Sequence, residues 1–526
     1  MRWPLRVLRS HVPRDMNTPQ AISPLTAGRL LARNTVWNLL GQLLPMLVAI
    51  VTVPLLIRNL GDARFGVLSL AWVLIGYFSL FDLGLGRALT VMVADRLARH
   101  QREHIPPVVW TSLLLMLALG VVGGLLTAAA SSWLIHRALK IPPALQPETL
   151  LSFYLLAISI PLVTLTSGLR GVLEGLQRFR ILNLIRIPIT VFSLAGPLLV
   201  LPFSHSLVMI VALLMAARLV GLAMHWMACI HALPELRAGL RWQRSLLKPV
   251  ARLGSWMTVS NVIGPVLIYT DRFLIGGLLS VSAVTYYAAP FDMVTRLSVI
   301  PGAVAGVLFP ALAVSMSQDP LRTELLLGRG IKYVFMALFP LIFLMMTFAP
   351  EGLRLWLGPA FAAQASSVLR WLAAGVFLNS LAYMPFALIQ SAGRPDVTAR
   401  LHLIELPLYC IALVILVKAW GIEGAAIAWV GRIALDTVLI FFYARRIIGR
   451  KLRFWPKLQA ATVLGLLFFA AACLPETWGM KTVVLISGLA LFALAAGRWA
   501  VAPDEWAFLL RKRGIANLAG RADAAP

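Results

Sequence analysis

Charged side chains stand inside otherwise apolar stretches of this chain, and they are the residues whose types and spacing could do chemistry. Six of them form neighbouring pairs of opposite charge: Asp82 with Arg87, Asp271 with Arg272, and Asp292 with Arg296. Four others stand singly: Arg186, Arg218, Glu405 and Arg432. An ionised group in an apolar environment costs a few kcal/mol, so each needs a partner or a ligand.

Arginine is in excess over carboxylate in these stretches. At their edges and interiors we find seven arginines and five acids: Arg87, Arg186, Arg218, Arg272, Arg296, Arg370 and Arg432, against Asp82, Asp271, Asp292, Glu405 and Asp436. Some charges could neutralise one another structurally, Asp82 with Arg87, Asp292 with Arg296, or Arg186 with Glu405. The surplus favours an anionic substrate, because a guanidinium can bind two phosphate oxygens at once.

Several kinds of site are missing from the sequence. It has neither a phosphate-binding G-x-x-x-x-G-K-[ST] loop nor a His-Glu-x-x-His zinc motif. The three cysteines, Cys229, Cys410 and Cys473, lie in or at the ends of apolar stretches, where packing is their expected role. We therefore predict no cofactor, no metal site and no catalytic residues, and a chain that is not an enzyme.

Composition places these charges in membrane-spanning elements. The mean hydropathy is +0.85 and 60% of the residues are hydrophobic, which excludes an ordinary soluble domain. We predict fourteen spans, and no strands, near residues 35–57, 65–88, 105–135, 150–172, 181–201, 205–229, 253–277, 283–314, 331–349, 366–391, 398–418, 421–443, 458–474 and 480–499. The third and eighth spans exceed the bilayer thickness, so we expect them to tilt, kink or project.

An internal repeat divides the spans into two halves. Leu-Ile-Arg-Ile-Pro-Ile at 184–189 recurs as Leu-Ile-Glu-Leu-Pro-Leu at 403–408, and this repeat matches Arg186 with Glu405. Arg218 and Arg432 lie at a similar separation. We predict an all-α membrane protein with two six-helix lobes and two further helices. Its parts are a basic tail (1–34), the N-terminal lobe (35–229), a basic linker (230–252), the C-terminal lobe (253–443), helices 13 and 14 (444–499) and a second tail (500–526).

Positive charge predicts the orientation. Of the 47 Lys and Arg residues, 34 lie in the termini and even-numbered loops and 7 in the odd-numbered loops. Because positive loops resist translocation, both termini are predicted to be cytoplasmic. The net charge of +26 then reflects topology and attraction to anionic lipid, and we predict no nucleic-acid partner.

Three runs resemble the opening of the Wzx-type polysaccharide flippases, relatives of the multidrug extruders and of the lipid II flippase. They are Asn-Thr-Val-Trp-Asn-Leu-Leu-Gly at 34–41, Leu-Gly-Asp-Ala-Arg-Phe-Gly at 60–66, and Phe-Asp-Leu-Gly-Leu-Gly-Arg-Ala at 81–88. Residues 173–179 and 389–395 resemble the inner loops of that family. The resemblance extends from residue 35 to about 500.

The resemblance implies two lobes around a cavity that is lined by helices 1, 2, 7 and 8 and opens to each side in turn. It implies a cargo of oligosaccharide on undecaprenyl pyrophosphate, moved across the bacterial inner membrane. Asp82, Arg87, Asp271, Arg272, Asp292 and Arg296 would lie on cavity helices, and Arg218 and Arg432 further back. A proton or a sodium ion could drive the cycle, and Arg186 with Glu405 could form a gate in the outward-facing state. A lipid II flippase and a multidrug or cation antiporter remain alternatives.

Overall fold

The computed structural model describes residues 28–77, 82–239, 241–247, 266–449 and 454–495. Within these ranges the regular elements are helices, and no strand occurs among them. We label the main helices in chain order: α1 Gly28–Tyr77, α2 Leu85–Ala98, α3 Ile105–Trp133, α4 Gln146–Gly175, α5 Phe179–Val200, α6 Leu207–Ala232, α7 266–278, α8 Val281–Thr295, α9 Val299–Gln318, α10 Pro320–Thr347, α11 Ala349–Leu357, α12 Pro359–Ser391, α13 Pro395–Ile448, α14 Trp455–Ala472 and α15 Trp478–Ala495. The predicted all-α membrane fold is confirmed. Most of the first predicted tail, 1–27, and all of the second lie outside the described residues.

Membrane-crossing segments follow the predicted spans. Eleven segments among the described residues are long and apolar enough to cross a bilayer. Two of these, in α1 and α13, are each divided at a glycine with positive φ, Gly61 at 76° and Gly421 at 59°, a conformation that glycine adopts without steric cost. Each divided helix holds two predicted spans, so the eleven segments account for thirteen spans. The other span, predicted over 253–277, is described only from residue 266.

Two helices are interrupted at equivalent places in the repeat. The second part of α1 ends at Tyr77 and α2 begins at Leu85, after Leu83 and Gly84 with φ of 48° and 73°. In the other half, the 3-10 turn Arg296–Ser298 separates α8 from α9. The span predicted over 65–88 therefore has a turn at residues 82–84 near its end, and the span predicted over 283–314 contains a 3-10 turn; the tilt, kink or projection expected of the latter stays a prediction. When the two halves are aligned by the repeat, the two interruptions fall within about one helical turn of the same position.

The helices pack into two groups. In the first group α4 lies against α2, α3 and α6, and α1 lies against α5. In the second, α12 lies against α8, α9, α10, α11 and α13. The last two helices attach to α10 through stacked and edge-on phenylalanines: Phe339, Phe343, Phe468, Phe469 and Phe492. Packing alone does not fix domain limits, so the predicted boundaries stay predictions.

The two groups meet where α1 turns at Gly61 and α7 passes into α8. Tyr286 donates a hydrogen bond to the carboxylate of Asp62, and Thr285 Oγ1 donates to the Asp62 carbonyl at 2.7 Å. Lys140 Nζ donates to the carbonyl of Leu278 at 2.5 Å. A Cβ added at Gly66 would overlap the carbonyl oxygen of Val281, so the backbones approach closely there. By the predicted topology, these contacts close the outer end of the space between the lobes.

Candidate functional site

Arg272 forms the most enclosed of the predicted charge contacts. Its Nη2 lies 2.5 Å from Oδ1 of Asp292 on α8, and its guanidinium lies over the rings of Tyr269 and Phe291. The Arg272 side chain is 4% exposed, whereas that of Asp292 is 47% exposed. The pair therefore runs from the interior of the second lobe to an accessible surface.

Asp271 points into the lobe beside this pair. Its carboxylate is buried and accepts hydrogen bonds from the Tyr287 hydroxyl at 2.6 Å and from the backbone N–H of Arg272 at 2.7 Å. Tyr287 stacks on Phe291, whose ring meets Trp429 edge-on. Asp271 is thus held by the fold and is not presented to solvent.

Arg432 joins Glu405 across the two parts of α13. Arg432 Nη1 lies 3.7 Å from Glu405 Oε2, and the guanidinium lies over the ring of Tyr409. Asp436, one turn beyond Arg432, lies 3.8 Å from Nε2 of His402. The second lobe therefore holds two arginines, Arg272 and Arg432, each beside carboxylates.

The neutralising pairs considered from the sequence do not form in this conformation. Asp292 pairs with Arg272 and not with Arg296. Asp82 Oδ1 accepts from the N–H of Gly84 at 2.7 Å and its Oδ2 from the hydroxyl of Ser167 at 2.6 Å. Both oxygens of Asp82 thus hold the start of α2 against α4. This structural role differs from the substrate contact expected of Asp82.

Four of the predicted arginines have no carboxylate partner in the described part of the chain. Among the described residues no carboxylate oxygen lies within 4.0 Å of any of them; they are Arg87, Arg186, Arg218 and Arg296. Arg87 is exposed and the other three are half-buried. Arg87 and Arg296 both lie at the helix interruptions of the repeat. The cation surplus is therefore located on these four residues and not on Arg272 or Arg432.

Arg186 and Glu405 are not paired here. Arg186 lies near Arg170 and Glu174 of α4, which themselves form an ion pair at 3.3 Å. Glu405 has Arg432 as its partner. The gate was expected only in the outward-facing state, so it stays a prediction.

Sequence reasoning missed His402, and it missed the contact between Asp62 and Tyr286. His402, Glu405 and Asp436 place a potential ligand atom each within 4.8 Å of one another, although no metal site was predicted. The spacing of His402, Glu405 and Tyr409 along one helix face was readable from the sequence. Asp62 lies in the run at 60–66 that carries the family resemblance, but the sequence did not indicate its contact with Tyr286.

Comparison with known proteins shows which family this chain belongs to. The model of the family described as polysaccharide biosynthesis protein matches residues 31–316, which is more than half of the chain. The chain belongs to this family. It is 32% identical over 417 residues to a putative O-antigen transporter of Shigella flexneri, covering 78% of this chain and 97% of that protein. It is 26% identical over 239 residues to a probable low-salt glycan biosynthesis flippase, Agl15 of Haloferax volcanii, covering 44% and 48% of the two chains.

Solved transporter structures share the fold. The lipid II flippase MurJ in an inward closed conformation aligns with a TM-score of 0.66 at 11% identity, covering 90% of this chain and all of that one. An inward-facing multidrug MATE transporter aligns with a TM-score of 0.64 at 16% identity, over 77% and 94% of the two chains. An outward-facing MATE transporter structure aligns with a TM-score of 0.56 at 17% identity, covering 79% of this chain and 96% of that chain. This member of the polysaccharide biosynthesis family is therefore a multi-pass membrane transporter of flippase type and not an enzyme.

Proposed function

We propose that this transporter moves an oligosaccharide linked to undecaprenyl pyrophosphate across the bacterial inner membrane for cell-surface polysaccharide, O-antigen in particular. The observation that carries the proposal is a set of arginines without a carboxylate partner among the described residues: Arg186, Arg218 and Arg296 lie within membrane-spanning segments, and Arg87 lies at the start of α2. A partly exposed guanidinium within a span must face water or a ligand, because lipid cannot solvate it. A pyrophosphate supplies the missing negative charge.

Arg296 is the first residue we assign to the cargo headgroup. It lies in a helix interruption and is half-buried, and no carboxylate competes for it among the described residues. Arg87 lies in the first turn of α2, just after the corresponding interruption of the first lobe, and Arg218 lies mid-way along α6. A guanidinium binds phosphate with two parallel hydrogen bonds, so a few such groups can hold a diphosphate without binding the sugar. The polyprenyl tail would remain in the lipid.

Alternating access provides the movement. The contacts of Asp62 with Thr285 and Tyr286 lie at the end that the charge distribution predicts to be outside, and they support a state that receives cargo from the cytoplasmic side. The higher TM-score to the inward-facing than to the outward-facing MATE structure supports this assignment. Opening these contacts while closing the cytoplasmic end would release cargo to the outer leaflet. A proton or a sodium ion moving inward would drive the cycle.

Analysis of lipids from a deletion strain tests the cargo. Cells without this transporter should accumulate an undecaprenyl pyrophosphate carrying the complete oligosaccharide, and the wild-type gene should clear it. Accumulation of lipid II would instead identify the peptidoglycan precursor as cargo. An unchanged lipid profile together with altered drug sensitivity would favour the multidrug or cation antiporter.

A further inference from the structure

A buried cluster of His402, Glu405 and Asp436 lies where the two parts of α13 pack together. Their potential ligand atoms all lie within 4.8 Å of one another. Nε2 of His402 is 3.8 Å from Oδ1 of Asp436, too long for a hydrogen bond. None of the three arginines assigned to the cargo, Arg87, Arg218 and Arg296, belongs to this cluster.

Most carboxylate oxygens of this cluster lack hydrogen-bond donors: both oxygens of Glu405 and Oδ1 of Asp436. Glu405 is 1% exposed and Asp436 is 8% exposed. These three oxygens are fully enclosed and accept no hydrogen bond. A buried carboxylate without hydrogen bonds costs several kcal/mol unless it is neutralised. The cluster therefore requires positive charge.

Arg432 supplies only part of that charge. It lies 3.7 Å from one oxygen of Glu405, which leaves the two carboxylates and one guanidinium with a net charge of about −1 when both acids are ionised. Asp271 on α7 also acts on Arg432 electrostatically and adds further negative charge nearby. One additional monovalent cation would balance the cluster.

We propose that Glu405 and Asp436 share a proton that is bound and released in each transport cycle, with His402 as its route to the cytoplasm. A proton fits better than a metal ion, because a metal between these ligands would lie close to the Arg432 guanidinium. A proton on one carboxylic acid makes it a hydrogen-bond donor to the other carboxylate. The acid–carboxylate pair then carries a single negative charge, which Arg432 neutralises.

A series of side chains leads from this proton site to the Arg272–Asp292 pair. Arg432 and Tyr409 of α13 lie against the cluster, and Tyr287 of α8 and Asp271 of α7 lie beyond them. On α12, the backbone carbonyl of Leu378 accepts a hydrogen bond from Thr437 Oγ1 of α13 at 3.4 Å. Through Asp271 the series reaches the Arg272–Asp292 pair. Protonation of Glu405 weakens its ion pair with Arg432. That change can alter the electrostatic interaction of Arg432 with Asp271.

His402 is placed to exchange the proton with the cytoplasm. It lies one turn closer than Glu405 to the start of α13 at Pro395, the end that the charge distribution predicts to be cytoplasmic. Its side chain is 25% exposed, unlike that of Glu405. In the outer-closed state the proton would leave Asp436 through the imidazole of His402 and enter the cytoplasm. This inference rests on the proposed transport function, but its first test does not use the cargo.

Infrared difference spectroscopy of the full-length protein in liposomes tests proton binding. A pH titration in choline chloride should show a carboxylic acid C=O band that disappears as the proton leaves. The band should be lost in Glu405→Gln and in Asp436→Asn. It should persist in Glu423→Gln, a matched control on α13 whose carboxylate is held by Ser367 and Trp371. Absence of a titrating band in the wild type, or its persistence in both cluster variants, would overturn the proposal.

The same titration with sodium chloride separates the two ions. A proton site should give the same titration midpoint in sodium and in choline. Displacement of the band by sodium at constant pH would overturn the proton assignment in favour of a sodium site. In cells, Glu405→Gln and Asp436→Asn should reduce surface glycan at least tenfold at wild-type protein levels, whereas Glu423→Gln should not. Normal glycan in both cluster variants would refute coupling, and an unaltered deletion strain would refute the cargo while leaving the spectroscopic result intact.

Discussion

Arg272 and Asp292 form an ion pair between α7 and α8 with a 2.5 Å separation of Nη2 and Oδ1, and only the carboxylate is accessible. The arginine is enclosed by Phe291 and Tyr269 and lies beside the buried Asp271. Arg272 therefore stabilises the lobe, whereas the carboxylate of its partner is half-exposed.

Replacement of the two partners should have unequal effects on stability. Arg272→Met leaves Asp271 buried without a cation and should cost about 3–5 kcal/mol. Asp292→Asn removes a half-exposed partner while Asp271 remains near Arg272, and should cost about 1 kcal/mol or less. Thermal unfolding in detergent, followed by size-exclusion chromatography, measures both. Equal losses would contradict the assignment of Arg272 to the fold.

Gly66 tests the closure of the outer end. Alanine at this position would overlap the Val281 carbonyl and should cost roughly 1–3 kcal/mol in the closed state, shifting the population toward the outward-open form. Gly306→Ala in α9 is the matched control, because a Cβ there meets no atom within 4 Å.

Spin labels at Asn59 and Leu355, in a protein without its natural cysteines, report the outer separation of the lobes. Their distance should increase in Gly66→Ala and stay unchanged in Gly306→Ala. The same distance in all three proteins would show that this contact does not hold the outer end closed.

An exchange of charge at the repeated phrase distinguishes a gate from the Arg432 network. If Arg186 and Glu405 form a gate, Arg186→Glu combined with Glu405→Arg should retain surface glycan. We expect the exchange to fail, because an arginine at 405 would stand beside Arg432 without a counter-ion. Export by the exchanged protein at more than about half of the wild-type level would support the gate and contradict our assignment of Glu405.

Accessibility tags test the orientation. Tags at the amino terminus, near Gly239 and after Arg513 should report the cytoplasm, and tags near Pro142 and Pro359 the outside, because positive loops are retained inside. A tag near Gly239 that reacts from outside the cell would reverse the assignment of the outer closure and of the His402 route.

Much of the fold could be predicted from the sequence, because hydropathy and the repeat act over whole helices. The pairing of charges could not. In a regular helix Asp292 and Arg296 would share one face. However, α8 ends at Thr295 and Arg296 begins a 3-10 turn, so the helical spacing did not predict the partner of Asp292. The partners of Arg272 and Arg432 lie 20 and 27 positions away in the sequence, on other helical segments. Such contacts depend on tertiary packing.

The Asp82 segment shows the same limitation on a local scale. Its apolar neighbours favour a continuous span, but the carboxylate of Asp82 accepts from the Gly84 N–H and Leu83 adopts a left-handed conformation. An Asp side chain that bonds the backbone two residues on favours a turn over a helix. Gly84, with a φ of 73°, adopts the left-handed conformation of this turn without steric cost, and a hydropathy average does not detect the turn.

Direct measurement of flipping tests the central claim. Liposomes containing the purified protein and the glycolipid accumulated by the deletion strain should expose all of that glycan to an added lectin only if the protein moves the inner-leaflet lipid to the outer leaflet. We predict nearly complete exposure with the wild-type protein, about half with protein-free liposomes or Arg296→Ala, and an intermediate rate with Arg296→Lys, which keeps the charge without the two-pronged geometry. Arg400→Ala, which alters an exposed arginine paired with Asp396, should behave as wild type. Exposure that remains at about half with the wild-type protein, or an Arg296→Ala variant as active as wild type, would contradict the account.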